Sequence, residues 1–210
     1  MKVVAFNGSP KKEGNTYHAL NLVSKELEKQ GVEVEFIHVG NKKIRGCTGC
    51  GQCVKQMNKE CVIKDDDVNE WIKKMDEADG ILLGSPVYYS AIAGTMKSFL
   101  DRAFFVAGVN GSMLRHKVGA AVVAVRRSGG LPTFNQLNNY LNYSEMILPT
   151  SNYWNVIHGM MPGEALKDDE GVQIMRVLGK NMAWTLKLVE NGKDIERPEK
   201  EDKIFTNFIR

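Results

Sequence analysis

Short runs that are apolar throughout alternate along the chain with longer stretches whose apolar residues recur every three or four positions. Val3-Val4-Ala5-Phe6 is the first such run, and it halts at the turn cluster Asn7-Gly8-Ser9-Pro10. Residues 15–30 then read as a helix, with Leu20, Leu22, Val23 and Leu27 as its apolar stripe and Gly31 at the C-cap position. Val32, Val34, Phe36 and Ile37 predict a second strand, and 68–78 a second helix. Ile81-Leu82-Leu83 predicts a third strand that stops at Gly84-Ser85-Pro86. A helix over 95–107, a long fourth strand over 118–125 and a helix over 133–143 follow. A weak fifth strand is expected at 146–148 and a final helix at 169–190. No internal repeat interrupts this order. The expected organisation is one unit over 1–190, with a cysteine-rich segment at 41–64 after the second strand, and a charged, frayed tail over 191–210.

Five strands that are each apolar from end to end, separated by helices, predict an α/β fold. The sheet is parallel, covered on both faces and doubly wound. Ligands of such sheets bind beyond the carboxyl ends of the strands. The loops leaving strands one, three and four, Gly8–Thr16, Ser85–Gly94 and Arg126–Gly130, should therefore converge.

Composition alters this picture mainly by exclusion. With 210 residues, 43% hydrophobic and 25% charged, the chain has the make-up of a globular protein. No run approaches the ~20 apolar residues of a membrane span, and no secretory leader is visible. The formal net charge of +3 argues for neither nucleic acid nor an anionic membrane as the main partner. The four cysteines, Cys47, Cys50, Cys53 and Cys61, all fall in one segment. Such clustering without a leader predicts a reducing, cytoplasmic setting and a metal or redox site.

The first loop, Gly8-Ser9-Pro10-Lys11-Lys12-Glu13-Gly14-Asn15-Thr16, lacks the Gly-Lys-Ser/Thr of a P-loop and the G-x-G-x-x-G of a dinucleotide site. It does carry what one phosphate needs: hydroxyls on Ser9 and Thr16, the Asn15 amide, the Lys11 charge and a following helix N-terminus. The residues alone equally admit a strand-to-helix turn capped by Asn15 or Thr16. The loop after the third strand, Ser85-Pro86-Val87-Tyr88-Tyr89-Ser90-Ala91-Ile92-Ala93-Gly94, is aromatic and apolar where such loops are usually polar. It suits a flat aromatic ligand, or tyrosines that merely pack over the neighbouring loop. Arg126-Arg127-Ser128-Gly129-Gly130 lets backbone approach a ligand closely.

Taken together, G-S-P-K-K-E-G-N-T (8–16), S-P-V-Y-Y-S-A-I-A-G-T-M-K-S-F-L-D-R (85–102) and the cysteine segment resemble the flavodoxin-like NAD(P)H-dependent FMN reductases, and within them the iron–sulfur flavoproteins. The resemblance covers about 1–190. It implies that Ser9, Lys11, Asn15 and Thr16 hold the FMN phosphate. It places Pro86, Val87, Tyr88, Tyr89 and Ser90 at the isoalloxazine, with Arg127, Ser128 and Gly129 opposite. Arg126-Arg127 departs from the family pattern. A homodimer or homotetramer is also implied.

The cysteine spacing is Cys-x2-Cys-x2-Cys-x7-Cys. A [4Fe–4S] cluster needs four thiolates at the corners of a cube, and a tight loop can wrap three of them. Gly46, Gly49 and Gly51 permit the backbone that this wrap demands and argue against cysteines lining a helix. Six basic residues and one acid, Glu60, lie between Lys42 and Lys64, a field that favours thiolates. Zinc suits two separated C-x2-C knuckles better, and free redox thiols remain a third reading. Asp65-Asp66-Asp67 reads as the cap of the next helix. The four histidines have no ligand or catalytic spacing, and no acid–base residue is assigned. The function expected is transfer of electrons from NAD(P)H through FMN to a small-molecule or protein acceptor, with the cluster as a further carrier. The alternatives are a plain FMN reductase and an electron carrier that docks a ferredoxin on the basic segment.

Overall fold

The computed structural model describes residues 1–206; the last four residues of the charged tail lie outside the described part. Strands β1 (Lys2–Asn7), β2 (Glu33–His38), β3 (Gly80–Tyr88), β4 (Ala91–Ile92), β5 (Val118–Val125) and β6 (Val156–His158) alternate with helices. These are α1 (Asn15–Glu28), α2 (Gln52–Gln56), α3 (Val68–Glu77), α4 (Gly94–Val109), α5 (Gly130–Tyr143) and α6 (Asp169–Asn191), with a 3-10 turn at Glu164–Lys167 before α6. Five strands form a parallel sheet in the order β2-β1-β3-β5-β6. The order reverses between β1 and β3, and that is where a doubly wound sheet opens a crevice.

The strand residues alternate between two cores. Val4, Phe6, Ile81 and Leu83 face α3, α4 and α5, where Phe6 meets Phe99 with ring centroids 4.7 Å apart. Val3, Ala5 and Leu82 face α1 and α6, among Leu20, Leu27, Met175 and Met182. Burying an aliphatic or aromatic side chain of this size is worth roughly 1.5–3 kcal/mol, so both covered faces hold the sheet.

The fifth strand corrects the sequence reading. Residues 146–148 touch the sheet through a single bridge, Ile147 to Val118, and the strand proper is Val156–His158 against Val123–Val125. Nine positions separate Ile147 from Val156, whereas five separate their partners Val118 and Val123. The surplus residues loop out of the sheet and carry Tyr153 and Trp154 with them. Where backbone has left the ladder, the Asn155 side chain stands in: its Nδ2 donates to the Ala121 carbonyl at 3.0 Å.

Smaller corrections follow from local chemistry. β4 is the return arm of a hairpin in which Tyr88 pairs with Ala91. Its two turn residues, Tyr89 and Ser90, both hold left-handed φ angles, +51° and +59°, the conformation of a two-residue hairpin turn usually given to Asn-Gly. Asp67 stands at the N-cap of α3 without capping it and instead pairs with Lys42 at 2.8 Å. Asp66, one residue before the cap position, instead accepts from the Val68 N–H at 3.2 Å. In the tail, the Pro198 carbonyl accepts from Arg115 at 3.1 Å, so this stretch lies against the body of the protein.

Candidate functional site: a carboxyl-edge cavity and a cysteine cavity

The loop after β1 is shaped from below. Asn7, 2% exposed, accepts from the Ser9 N–H with Oδ1 at 3.0 Å and donates from Nδ2 to the Lys12 carbonyl at 3.0 Å. The Ser9 hydroxyl accepts from the Lys11 N–H at 3.2 Å. His38, at the end of β2, donates from Nε2 to the Ser9 carbonyl at 2.8 Å; a carbonyl only accepts, so that nitrogen carries the proton. Asn7 and His38 were missed from the sequence. Asparagine ahead of a Gly-Ser-Pro turn is the available signal for the first, and none marked the second.

The loop delivers the chain into α1 with Gly14 at the N-cap, no side-chain cap and no acid in the first turn. Neither Asn15 nor Thr16 is the cap, since both already lie within the helix. The first-turn N–H groups are therefore left to whatever lies in front of them, and the dipole there favours an anion.

In front of them is an open cavity of about 230 Å³ lined by Ser9, Lys11, Asn15, Thr16, Pro86, Val87 and Tyr88. Seven of the twelve residues expected at a flavin site thus share one wall. Arg126, from the loop expected to converge here but not among the named flavin contacts, lines it too, as do Gly159, Met160 and Pro162 of a loop that was not expected. Asn15 ties down the 3-10 turn that follows that loop, accepting from the Ala165 N–H at 3.2 Å. Tyr89, Ser90, Arg127, Ser128 and Gly129 do not line this cavity. Arg127, Ser128 and Gly129 face a second one, of about 280 Å³, with Tyr153, Trp154, His158 and Asp168. Alternation along β5 explains the swap: Ala124 and Arg126 point one way, Val125 and Arg127 the other. Gly129 still packs on the tyrosine loop, where an added Cβ would stand 2.8 Å from the Ser90 hydroxyl. Tyr140, on α5, lines neither of these cavities; it bonds Asp101, and burial first, then that carboxylate, push its phenol up to about 12.

The four cysteines converge on a separate small cavity, together with Thr48, Gly51, Arg102, Phe105 and Val106. Gly49 and Gly51 take the left-handed conformation, at φ +64° and +67°, and Gly46 does not. Cys53 lies on the short helix α2, and the other three cysteines lie outside any helix. Cys61 is fixed through its backbone, with Asn69 accepting from its N–H at 2.8 Å and donating to its carbonyl at 2.9 Å. The Gln52 N–H and the Thr48 hydroxyl hold the Cys50 thiol below its ordinary value, whereas burial pushes the Cys53 thiol up. Among the described residues, no three His, Cys, Asp or Glu side chains approach closely enough to hold a single metal ion. The basic field of the segment is partly paired off, Lys42 with Asp67, Lys59 with Asp76 and Lys64 with Glu60.

Sheet order, the uncapped helix start and a cavity at the strand ends define a flavodoxin-like α/β protein. An archaeal flavodoxin superposes with a TM-score of 0.60 at 18% identity, over 89% of this chain and 99% of that one. An NAD(P)H:quinone oxidoreductase from Methanothermobacter marburgensis gives 0.65 at 14% identity, over 87% and 96%. The chain belongs to the NADPH-dependent FMN reductase family, whose model matches residues 1–160. It is 39% identical over 197 residues to an iron–sulfur flavoprotein of Methanocaldococcus jannaschii, covering 90% of this chain and all of that protein. It is 36% identical over 186 residues to one of Archaeoglobus fulgidus, covering 87% and 79%. It is accordingly an FMN-binding oxidoreductase. Among the described residues, no helix is long and apolar enough to cross a membrane.

Proposed function

We infer that the chain takes electrons from NAD(P)H onto FMN and passes them to an acceptor through a [4Fe–4S] cluster held by Cys47, Cys50, Cys53 and Cys61. The observation that carries this reading is the convergence of all four thiols on one cavity, the number that a cube of iron and sulfide needs at its corners. The names of the two archaeal relatives agree.

When bound, FMN supplies the exchange between a two-electron donor and one-electron carriers. The residues do the rest. Ser9, Lys11, Asn15, Thr16 and the first-turn N–H groups of α1 bind the phosphate; Arg126 adds charge to the same wall. Pro86, Val87 and Tyr88 seat the ring, with Tyr89, Ser90, Ser128 and Gly129 in the loops that adjoin it. The flavin-binding unit is 1–190, with the cysteine segment 41–64 within it. Three of the six bases of that segment are already paired, which leaves less charge for docking an acidic protein such as a ferredoxin than the sequence suggests.

Anaerobically purified protein tests the reading. Heat should release FMN, and iron and sulfide should each be present at about four per chain, the composition of the cluster. NADH or NADPH should bleach the flavin. Release of FAD overturns the flavin assignment, iron-free yellow protein after reconstitution overturns the cluster, and failure of both nicotinamides overturns the donor.

A further inference from the structure

Arg102 is the most deeply buried charged residue beside either cavity. Its side chain is 0% exposed, and it rises from α4 into the cysteine cavity, whose lining it shares with all four thiols. Of its four hydrogen bonds, two go to the two arms of the cysteine segment and two to Asp66 just beyond it. Nη1 donates to the Arg45 carbonyl at 3.1 Å, two residues before Cys47. Nη2 donates to the Ile63 carbonyl at 3.0 Å, two residues after Cys61. The same two nitrogens form a bidentate pair with Asp66, whose side chain is 6% exposed. One helix residue thus clasps both ends of the loop that presents the cysteines.

The fifth donor is left over. Arg102 Nε is buried and has no hydrogen-bond partner; Asn155 Oδ1 is the other such side-chain atom among the described residues. A buried N–H with no acceptor is costly enough that it calls for an explanation. Apart from the Thr48 hydroxyl, the side chains that share the cavity with Arg102 offer it sulfur or hydrocarbon. Burial works against the charge of the guanidinium, but Asp66 and the Cys61 sulfur more than offset it and hold its pKa above the ordinary arginine value.

We propose that Arg102 is a positioning residue for the cluster: it fixes both arms of the cysteine loop, and its free Nε–H donates to sulfur on the Cys61 side of the cavity. A donor to cluster sulfur stabilises the extra negative charge of the reduced state and so raises the reduction potential. The inference rests on the cluster reading above. It makes Arg102 a determinant of how readily the cluster accepts an electron, with no direct part in flavin binding.

The test is a redox titration of anaerobic holoprotein, with the cluster followed by electron paramagnetic resonance and the flavin by absorbance as an internal reference. Arg102→Lys keeps the buried charge but lacks Nε–H, so the cluster potential should fall. Asp66→Asn keeps Nε–H and removes a negative charge nearby, so the potential should rise. The flavin potential should stay put in both. A mere loosening of the loop would move both variants the same way, and that result overturns the proposal. Because breaking a buried pair threatens the fold, the double replacement Arg102→Met with Asp66→Leu provides a neutral control, and it too should lower the cluster potential. An unchanged potential in Arg102→Lys and in the double variant overturns the donor role. Loss of iron or of the fold in all three would show that Arg102 only holds the loop, and it too overturns the donor role. Iron-free wild-type protein would be a different failure, since it removes the cluster reading and this inference together.

Discussion

Gly40 lies hard against Ser9: a Cβ added to Gly40 would stand 2.1 Å from the Ser9 carbonyl oxygen and 2.2 Å from its carbon. Both are backbone atoms and cannot swing aside, so Gly40→Ala must displace the β1 loop or the end of β2. Overpacking of this kind typically costs about 1–3 kcal/mol. The expected outcome is a lower Tm, together with FMN affinity reduced by displacement of Ser9. Thermal unfolding and apoprotein titration check the two effects. Unchanged FMN affinity in a destabilised variant would uncouple Gly40 from the phosphate loop.

Thr16 is 1% exposed yet faces the carboxyl-edge cavity. If its hydroxyl meets the FMN phosphate, Thr16→Ala removes one hydrogen bond to a charged group, worth roughly 1.5–3 kcal/mol. Flavin titration of the apoprotein should show Kd raised by about 10- to 100-fold, with thermal stability of the apoprotein little changed. Wild-type affinity would place the phosphate elsewhere.

Asn155 holds the gap in the fifth strand. Asn155→Ala leaves the buried Ala121 carbonyl without its donor, and such a loss costs roughly 1–3 kcal/mol. Urea unfolding should report that loss. Hydrogen exchange should quicken at the Val123 amide, whose acceptor is the Asn155 carbonyl at 2.9 Å. Exchange that stays slow there would mean that backbone alone secures the strand.

Asp168 governs an acid dependence. Burial disfavours its charged form, but N–H groups of Gly171 and His158 and the His158 ring more than compensate, and its pKa lies below the ordinary value. A carboxylate depressed in the folded state contributes stability that is complete above its unfolded value, about 3.9. That stability is lost as pH falls through the folded value. Asp168→Asn, which keeps the cap but not the charge, should cost roughly 1 kcal/mol at neutral pH. The gap between variant and wild type should close below about pH 4. A gap that persists at lower pH would assign the effect to shape.

Much of this architecture was legible in the sequence because the strands are apolar throughout and end at turn clusters. The fourth strand was read to the residue, from Val118 to Val125. The fifth failed because Met146-Ile147-Leu148 looks more like a strand than Val156-Ile157-His158, and the pattern does not reveal that a side-chain amide bridges the gap between them. One error produced another. With the strand misplaced, the rule about carboxyl ends does not point to the loop after it, Gly159–Pro162, which lines the cavity. Alternation from Ala124 would have selected Arg126 over Arg127. The clasp of Arg102 on Arg45 and Ile63 was not legible, since nothing local links residues so far apart in the chain.

The two borders of the sheet also explain how a long parallel array avoids recruiting further strands. An open edge offers a ladder of unused N–H and C=O groups on which a second chain can template. On one border, β2 carries Glu33 and Glu35, and Glu35 is locked between Lys2 and Lys74 at 2.7 and 2.6 Å, so an incoming strand meets charge. On the other, β6 presents only three residues before the chain turns away, and the stretch before it is bulged. The break in the fifth strand, costly to the regularity of the sheet, therefore doubles as protection against edge-to-edge polymerisation. Straightening it by deleting the looped residues would restore a continuous border and should make the protein more prone to aggregate.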